Sequence, residues 1–177
     1  LAWYQQVRKA DWETPADVKR EIGNASLAGQ SAVAIYKQLH DFKSGSRVNP
    51  IMSAMVQPLS EEKIVELSAY FAAGTPRTVE PASTYVPEEG VLRLVERGDP
   101  ARALPACNAC HGSNSGGPIE APALSRQSNE YVASQLHAFK TGARRNDIYT
   151  RMRSVAGKLT EREVDALADF YSKTSNY

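Results

Sequence analysis

Cys107-Asn108-Ala109-Cys110-His111 places two thiols three residues apart and a histidine directly after the second. On a helix, residues three apart lie one above the other on one face, so both thiols can add to the two vinyl groups along one edge of a porphyrin. The histidine that follows then lies under the iron. This is the arrangement of covalent c-type haem attachment. His111 supplies a fixed axial nitrogen, and thioethers from Cys107 and Cys110 keep the cofactor in place when the iron changes charge. The residues read as those of an electron carrier.

Two other chemistries use similar residues. A zinc site normally takes four ligands, and the chain has 2 cysteines and 3 histidines, of which His40 and His137 are not spaced as a second pair. A thioredoxin-type dithiol calls for a neighbouring βαβ pattern, whereas the sequence on both sides reads helical. A haem-free dithiol or metal-binding module stays as the alternative of another class.

With 21 basic and 20 acidic residues among 177, the formal charge is +1. That argues against nucleic acid as a partner and leaves any steering to local patches. No apolar run approaches the ~20 residues of a membrane span, so a membrane is expected only through a partner or a removed anchor. The first residue, Leu1, leads to the expectation of a processed precursor. Both cysteines belong to the haem motif, which leaves none for a disulfide or a lipid.

The elements that must position the motif are helices. Thr14-Pro15 with Asp17 reads as the start of a short helix to about Ile22. Ser31 to Ser44 is an amphipathic helix with Ile35, Leu39 and Phe42 on one stripe, stopped by Gly45. A polar loop with Asn49-Pro50 leads past Met52 and Met55 to a helix capped at Ser60, with Ile64, Leu67 and Phe71 as its buried face. Residues 75–87 carry three prolines and no helical period, as a tether between domains does. Pro87-Glu88-Glu89 starts a helix to about Arg97, broken at Gly98-Asp99-Pro100. Residues 112–124 form a glycine- and proline-rich loop. Ser128 caps a helix with Val132, Leu136 and Phe139, ended by Gly142. Thr160 and Glu163 form a capping box for the last helix, which buries Val164, Leu167 and Phe170.

The two halves are copies. Gln38-Leu39-His40-Asp41-Phe42-Lys43-Ser44-Gly45-Ser46-Arg47-Val48-Asn49 matches residues 135–146 at eight of twelve positions with a spacing of 97. A three-residue insertion then moves the spacing to 100, pairing Met52 with Met152 and Leu59 with Leu159. A period near 100 is a domain duplication. At the earlier spacing the haem motif falls on Ala10, Glu13 and Thr14, where no thioether can form. The expected architecture is all-α: two tandem domains, residues 1–78 and 88–177, joined by a linker at 79–87, with one covalent haem in the second. Trp3, Tyr4 and Trp12 are expected to turn into the space a porphyrin would take in the first, because large aromatics fill such a volume.

The paired Gln-Leu-x-x-Phe-Lys-x-Gly-x-Arg segments, Leu27-Ala28-Gly29-Gln30, Met52-x-x-Met55-x-x-Pro58-Leu59-Ser60 and Ala69-Tyr70-Phe71 resemble the two-domain class I cytochromes c of the c4 type. The likeness spans nearly the whole chain beyond the first two dozen residues, and it departs from the family where the first Cys-x-x-Cys-His should be. The resemblance implies a periplasmic electron carrier. Its partners would be redox proteins such as a quinol-oxidising complex, a dehydrogenase or a terminal oxidase, and the chain would act alone or as a cytochrome subunit of a larger complex. It also implies His and Met axial ligands. Met152 is the sole methionine of the second half and lies where the family's ligand lies. A thioether opposite the histidine raises the potential, and by filling the sixth position it disfavours an enzyme with an open haem. His137 competes for that position, but its counterpart His40 sits in the half without a motif. A proline carbonyl in the loop after the motif is implied as partner for the other nitrogen of His111, with Pro122 preferred to Pro118. Lys140, Arg144, Arg145, Arg151 and Arg153 flank Met152, set to meet haem propionates, an acidic partner or solvent.

Overall fold

The computed structural model describes residues 25–75, 85–112, 118 and 120–174. The first-half helix at 15–22 and the aromatics Trp3, Tyr4 and Trp12 lie outside the described residues, as does most of the linker. Eight α-helices are described: α1 Ala32–Ser44, α2 Pro50–Val56, α3 Glu61–Ala72, α4 Glu89–Glu96, α5 Asn108–His111, α6 Asn129–Thr141, α7 Arg151–Ala156 and α8 Glu161–Lys173.

Their ends follow from local chemistry. The side chains of Ser31, Asn49, Ser60 and Ser128 each accept a bond from a first-turn amide, and Thr160 with Glu163 closes a full capping box. Gly45 and Gly142 stop α1 and α6 in the left-handed region, at φ +79° and +73°. Gly98 is needed for a second reason. At φ +72° an added Cβ would stand 2.3 Å from the Leu104 carbonyl oxygen, which would break the Asp99–Leu104 bridge that turns the chain into the motif.

Helices α1 and α3 pack on one another in the first half, and α6 and α8 in the second. The second core joins Val132 of α6, with Leu136 packed against it, to Val164, Leu167, Phe170 and Tyr171 of α8, with Val91, Leu94 and Val95 of α4 closing one side. The first core holds Ile35, Leu39, Phe42, Val56 and Ile64, with Met52, Leu59, Leu67 and Phe71 packed around it. The expected stripes are there, but Leu67 and Phe71 are only half-buried. Tyr70 is 55% exposed where its counterpart Phe170 is 0%. In the second half α4 lies over α8; among the described residues of the first half no helix lies over α3 in the same way. Tyr85, at the end of the linker stretch, packs against the second core beneath the Lys173 ammonium.

The loop expected at Asn49-Pro50 is helical: Asn49 and Pro50 start α2 as cap and first residue. Met152, the counterpart of Met52, likewise lies in the first turn of a short helix, α7. The three-residue insertion falls just before α7. It is accommodated by two successive non-glycine residues in the left-handed region, Tyr149 at φ 53° and Thr150 at φ 57°, which cost about 1–2 kcal/mol each. Asp147 then takes over the capping role, accepting from the Arg153 amide at 3.0 Å and from its Nε at 2.7 Å.

The halves meet across a polar interface with approximate twofold symmetry. Gln30 grips the backbone of Ala123, donating to its carbonyl at 2.8 Å and accepting from its amide at 2.9 Å. Gln127 does the same to Ser26, at 2.8 Å in both directions. Arg47 donates to Gln38 and Gln135, each at 2.7 Å, while Arg144 donates to Gln135 at 2.7 Å and Gln38 at 2.9 Å. The symmetry fails at Asp41, whose counterpart is Ala138. Asp41 accepts from Asn146 at 2.6 Å and pairs with Lys37.

Arg102 anchors the stretch before the motif to the start of α8, donating to both Glu163 oxygens at 2.6 and 3.0 Å. This bond, helped by the Thr160 amide and hydroxyl against the opposing effect of burial, pulls the Glu163 carboxyl down to about 2. The folded value lies below the ~4.3 of an unfolded glutamate, so the stabilisation is present above that pH and lost as pH falls towards 2. Glu163→Gln is expected to lose about 1 kcal/mol at pH 7, after solvent screening, and nothing near pH 2. Urea unfolding at the two pH values checks it.

Candidate haem site

The motif occupies the single turn α5. Its cysteines and histidine project from that turn because the chain is pinned on both sides. The Cys107 amide donates to the Leu94 carbonyl of α4 at 3.3 Å, and the His111 amide closes the turn on the Cys107 carbonyl at 3.0 Å. Cys107 packs against the second core. Burial pushes its thiol up to about 11, with the Tyr171 hydroxyl opposing. The Tyr171 hydroxyl has no hydrogen-bond partner at bonding distance. Burial and the neighbouring Cys107 sulfur push it above the ordinary phenol range. A redox dithiol needs a lowered thiol pKa, and the surroundings of Cys107 act in the other direction.

His111 Nδ1 lies 2.7 Å from the Pro122 carbonyl oxygen. A carbonyl only accepts, so Nδ1 carries the proton and the lone pair of the neutral ring resides on Nε2. Burial lowers the imidazole pKa and the Arg144 charge lowers it further, while the Pro122 carbonyl opposes both. A neutral ring with Nε2 available and Nδ1 held by a backbone carbonyl is the form an iron-ligating histidine takes. The donor set fits a covalent haem: Cys107 and Cys110 as thioether sulfurs and His111 as axial nitrogen. The structure brings these three and Pro122 together; Pro118 lies in the same loop.

Met152 is half-buried at the start of α7. Its counterpart Met52 packs against the first core, whereas among the described residues Met152 is not one of the side chains packed on the second. His137 lies on α6 with its side chain 42% exposed and Nδ1 3.4 Å from Glu161. His40 is exposed and stacks on Tyr36. The basic stretch divides. Lys140 holds the Leu159 carbonyl and Glu161, both at 2.6 Å, Arg145 holds the Gly142 carbonyl, and Arg151 lies over the Tyr149 ring. Arg153 pairs with Asp147. Arg144 turns inward to the interface, where burial and the like charge of Arg47 pull its guanidinium down to about 10.

Sequence reasoning did not find the glutamine clamps or the arginine pair. A signal was present: Leu-x-x-Gln recurs at residues 27–30 and 124–127, and Gln and Arg recur at 38, 47, 135 and 144. These polar residues repeat where the haem motif does not. Among the described residues no three His, Cys, Asp or Glu side chains gather to hold a metal ion, and no helix is long and apolar enough to cross a membrane.

The cytochrome c family profile matches residues 99–175. A thiosulfate dehydrogenase electron acceptor from Stutzerimonas stutzeri (strain A1501) is 36% identical over 152 residues, covering 85% of this chain and 70% of the relative. Cytochrome c4 from Thiocapsa roseopersicina is 35% identical over 147 residues, covering 81% and 75%. The crystal structure of reduced recombinant cytochrome c4 from Pseudomonas stutzeri superposes with a TM-score of 0.75 at 30% identity, covering 86% of each chain. The structural relative is built of tandem cytochrome c domains and matches the duplicated all-α architecture of this chain. The chain belongs to the cytochrome c4 type of class I cytochromes c, electron-transfer proteins that carry covalent haem c and are not enzymes.

Proposed function

We propose that this chain is a periplasmic monohaem carrier, moving single electrons between redox proteins through a haem c held by Cys107 and Cys110 and ligated by His111 and Met152. The observation that carries this reading is the single motif turn, with the His111 Nδ1 proton given to Pro122 and Nε2 left for iron. Its copy in the first half would fall on Ala10, Glu13 and Thr14.

The domains are 1–78, haem-free, and 88–177, haem-bearing, joined through 79–87. The haem supplies one-electron Fe(III)/Fe(II) chemistry. His111 and Met152 would hold the iron in both states, so little rearrangement would accompany the transfer. A dehydrogenase oxidising an inorganic sulfur compound is the favoured donor, because a relative is named as the electron acceptor of thiosulfate dehydrogenase. A quinol-oxidising complex or a terminal oxidase takes the other role, and the same chain serves equally as the cytochrome subunit of such a complex.

A pyridine haemochrome assay on the native protein should give one haem per chain, resistant to acidic acetone and recovered in the periplasmic fraction. Two haems would refute the stoichiometry. An absent Soret band or extractable haem would refute the covalent site, and recovery in the cytoplasm would refute the compartment.

A further inference from the structure

We infer that Gln30, a residue of the half without a motif, is a positioning residue for the haem of the other half, setting the hydrogen bond that His111 makes to Pro122. The inference rests on the haem reading above. Its basis is one peptide plane. The Pro122 carbonyl that accepts from His111 Nδ1 at 2.7 Å and the Ala123 amide that donates to Gln30 Oε1 at 2.9 Å are two ends of the same peptide group.

That group is planar, so fixing the direction of its N–H fixes the direction of its C=O. Gln30 also donates to the Ala123 carbonyl at 2.8 Å, which holds the next peptide as well. Gln30 is 8% exposed, so water competes little for these bonds. The series Gln30 Oε1, the Pro122–Ala123 peptide, His111 Nδ1 is also a hydrogen-bond chain in which each member polarises the next.

A stronger acceptor at Nδ1 makes the imidazole a more basic ligand. A more basic ligand favours ferric iron and lowers the reduction potential. The first half thus acts on the iron without touching it. Loosening Gln30 should raise the potential.

The interface contains its own matched control. Gln127 grips Ser26 with the same pair of bonds, both 2.8 Å, and is 4% exposed. The peptide it holds is Ala25–Ser26, which stands 97 residues before Pro122–Ala123 and presents no carbonyl to His111. Gln30→Leu and Gln127→Leu therefore remove equivalent interface bonds and leave equivalent backbone groups unpaired.

In the intact chain, the reduction potential and the exchange rate of the His111 Nδ1 proton in the ferrous state are measured for both variants, with urea unfolding as a reference. The expected result is similar destabilisation in both. Only Gln30→Leu should raise the potential and speed Nδ1 proton exchange, by about tenfold for the lost pair of bonds. Gln30→Glu keeps an oxygen for the Ala123 amide and, as a charged and therefore stronger acceptor, should shift the potential the other way, below wild type; that fall serves as the test if the leucine variant does not fold. Equal shifts in the two leucine variants, or none with either Gln30 substitution, overturn the inference. Wild-type protein without covalent haem would instead overturn the reading on which it rests.

Discussion

Met152→Ala should leave the haem attached and lower its potential by on the order of 0.1 V, a modest part of the ~0.8 V range that axial ligands command. The attachment stays because Cys107 and Cys110 lie at and on α5 and not on α7. The potential falls because a thioether favours ferrous iron and water in its place does not. The reduced variant should also bind carbon monoxide, which the wild type resists while its sixth position is filled. Stability should change little, since among the described residues Met152 is not packed on the second core. The matched change in the first half should behave in the opposite way. Met52 packs against Ile35, Leu39, Phe42, Val56 and Ile64, so Met52→Ala should lose about 2 kcal/mol of stability and leave the potential unchanged. Potentiometric titration and carbon monoxide binding check the pair. An unchanged potential in Met152→Ala would give the sixth position to another residue, and the partly exposed His137 beside Glu161 would be the first to replace next.

The long helices were legible because each carries its own instructions. Ile35, Leu39 and Phe42, and 97 residues later Val132, Leu136 and Phe139, form stripes between a side-chain cap and a left-handed glycine. The short helices were not. α2 has 7 residues and α7 has 6, fewer than two turns each, too few for a period to emerge. Asn49-Pro50 was their one local sign. Half-burial at Leu67 and Phe71 was illegible for another reason: periodicity finds the apolar face of a helix but not what covers it. The motif itself was readable, since Cys107, Cys110 and His111 gain their chemistry from spacing on one turn. What holds the motif was not. Arg102 reaches Glu163 across 61 residues and Gln30 reaches Ala123 across 93, and a single sequence contains no local mark of such pairings. The nearest thing to a mark was the repetition of glutamine and arginine in both halves.

Replacing Cys107 and Cys110 together by Ala should yield protein whose haem is lost to acidic acetone, because His111 and Met152 alone hold it reversibly. The single replacements should differ from one another. Cys107 is half-buried and packs on the second core beside Tyr171. Cys107→Ala therefore removes packing as well as a thioether, and a packed sulfur exchanged for a smaller group destabilises by about 1–2 kcal/mol on top of the lost link. Cys110 is not part of that cluster among the described residues, so Cys110→Ala should mature with one thioether and near-normal packing. The ordering of haem-loaded yield is then wild type, Cys110→Ala, Cys107→Ala, and the double variant last. The carbonyl of Pro122 should keep the His111 ring oriented in all four, so any haem that remains should still show a low-spin histidine-ligated spectrum. Yields measured by haem staining after denaturing electrophoresis test the order directly. Equal, wild-type staining of both single variants and the double variant would show that the cysteines do not carry the cofactor. Equal staining of the two singles, with the double variant blank, would show that the packed position of Cys107 adds nothing to its thioether.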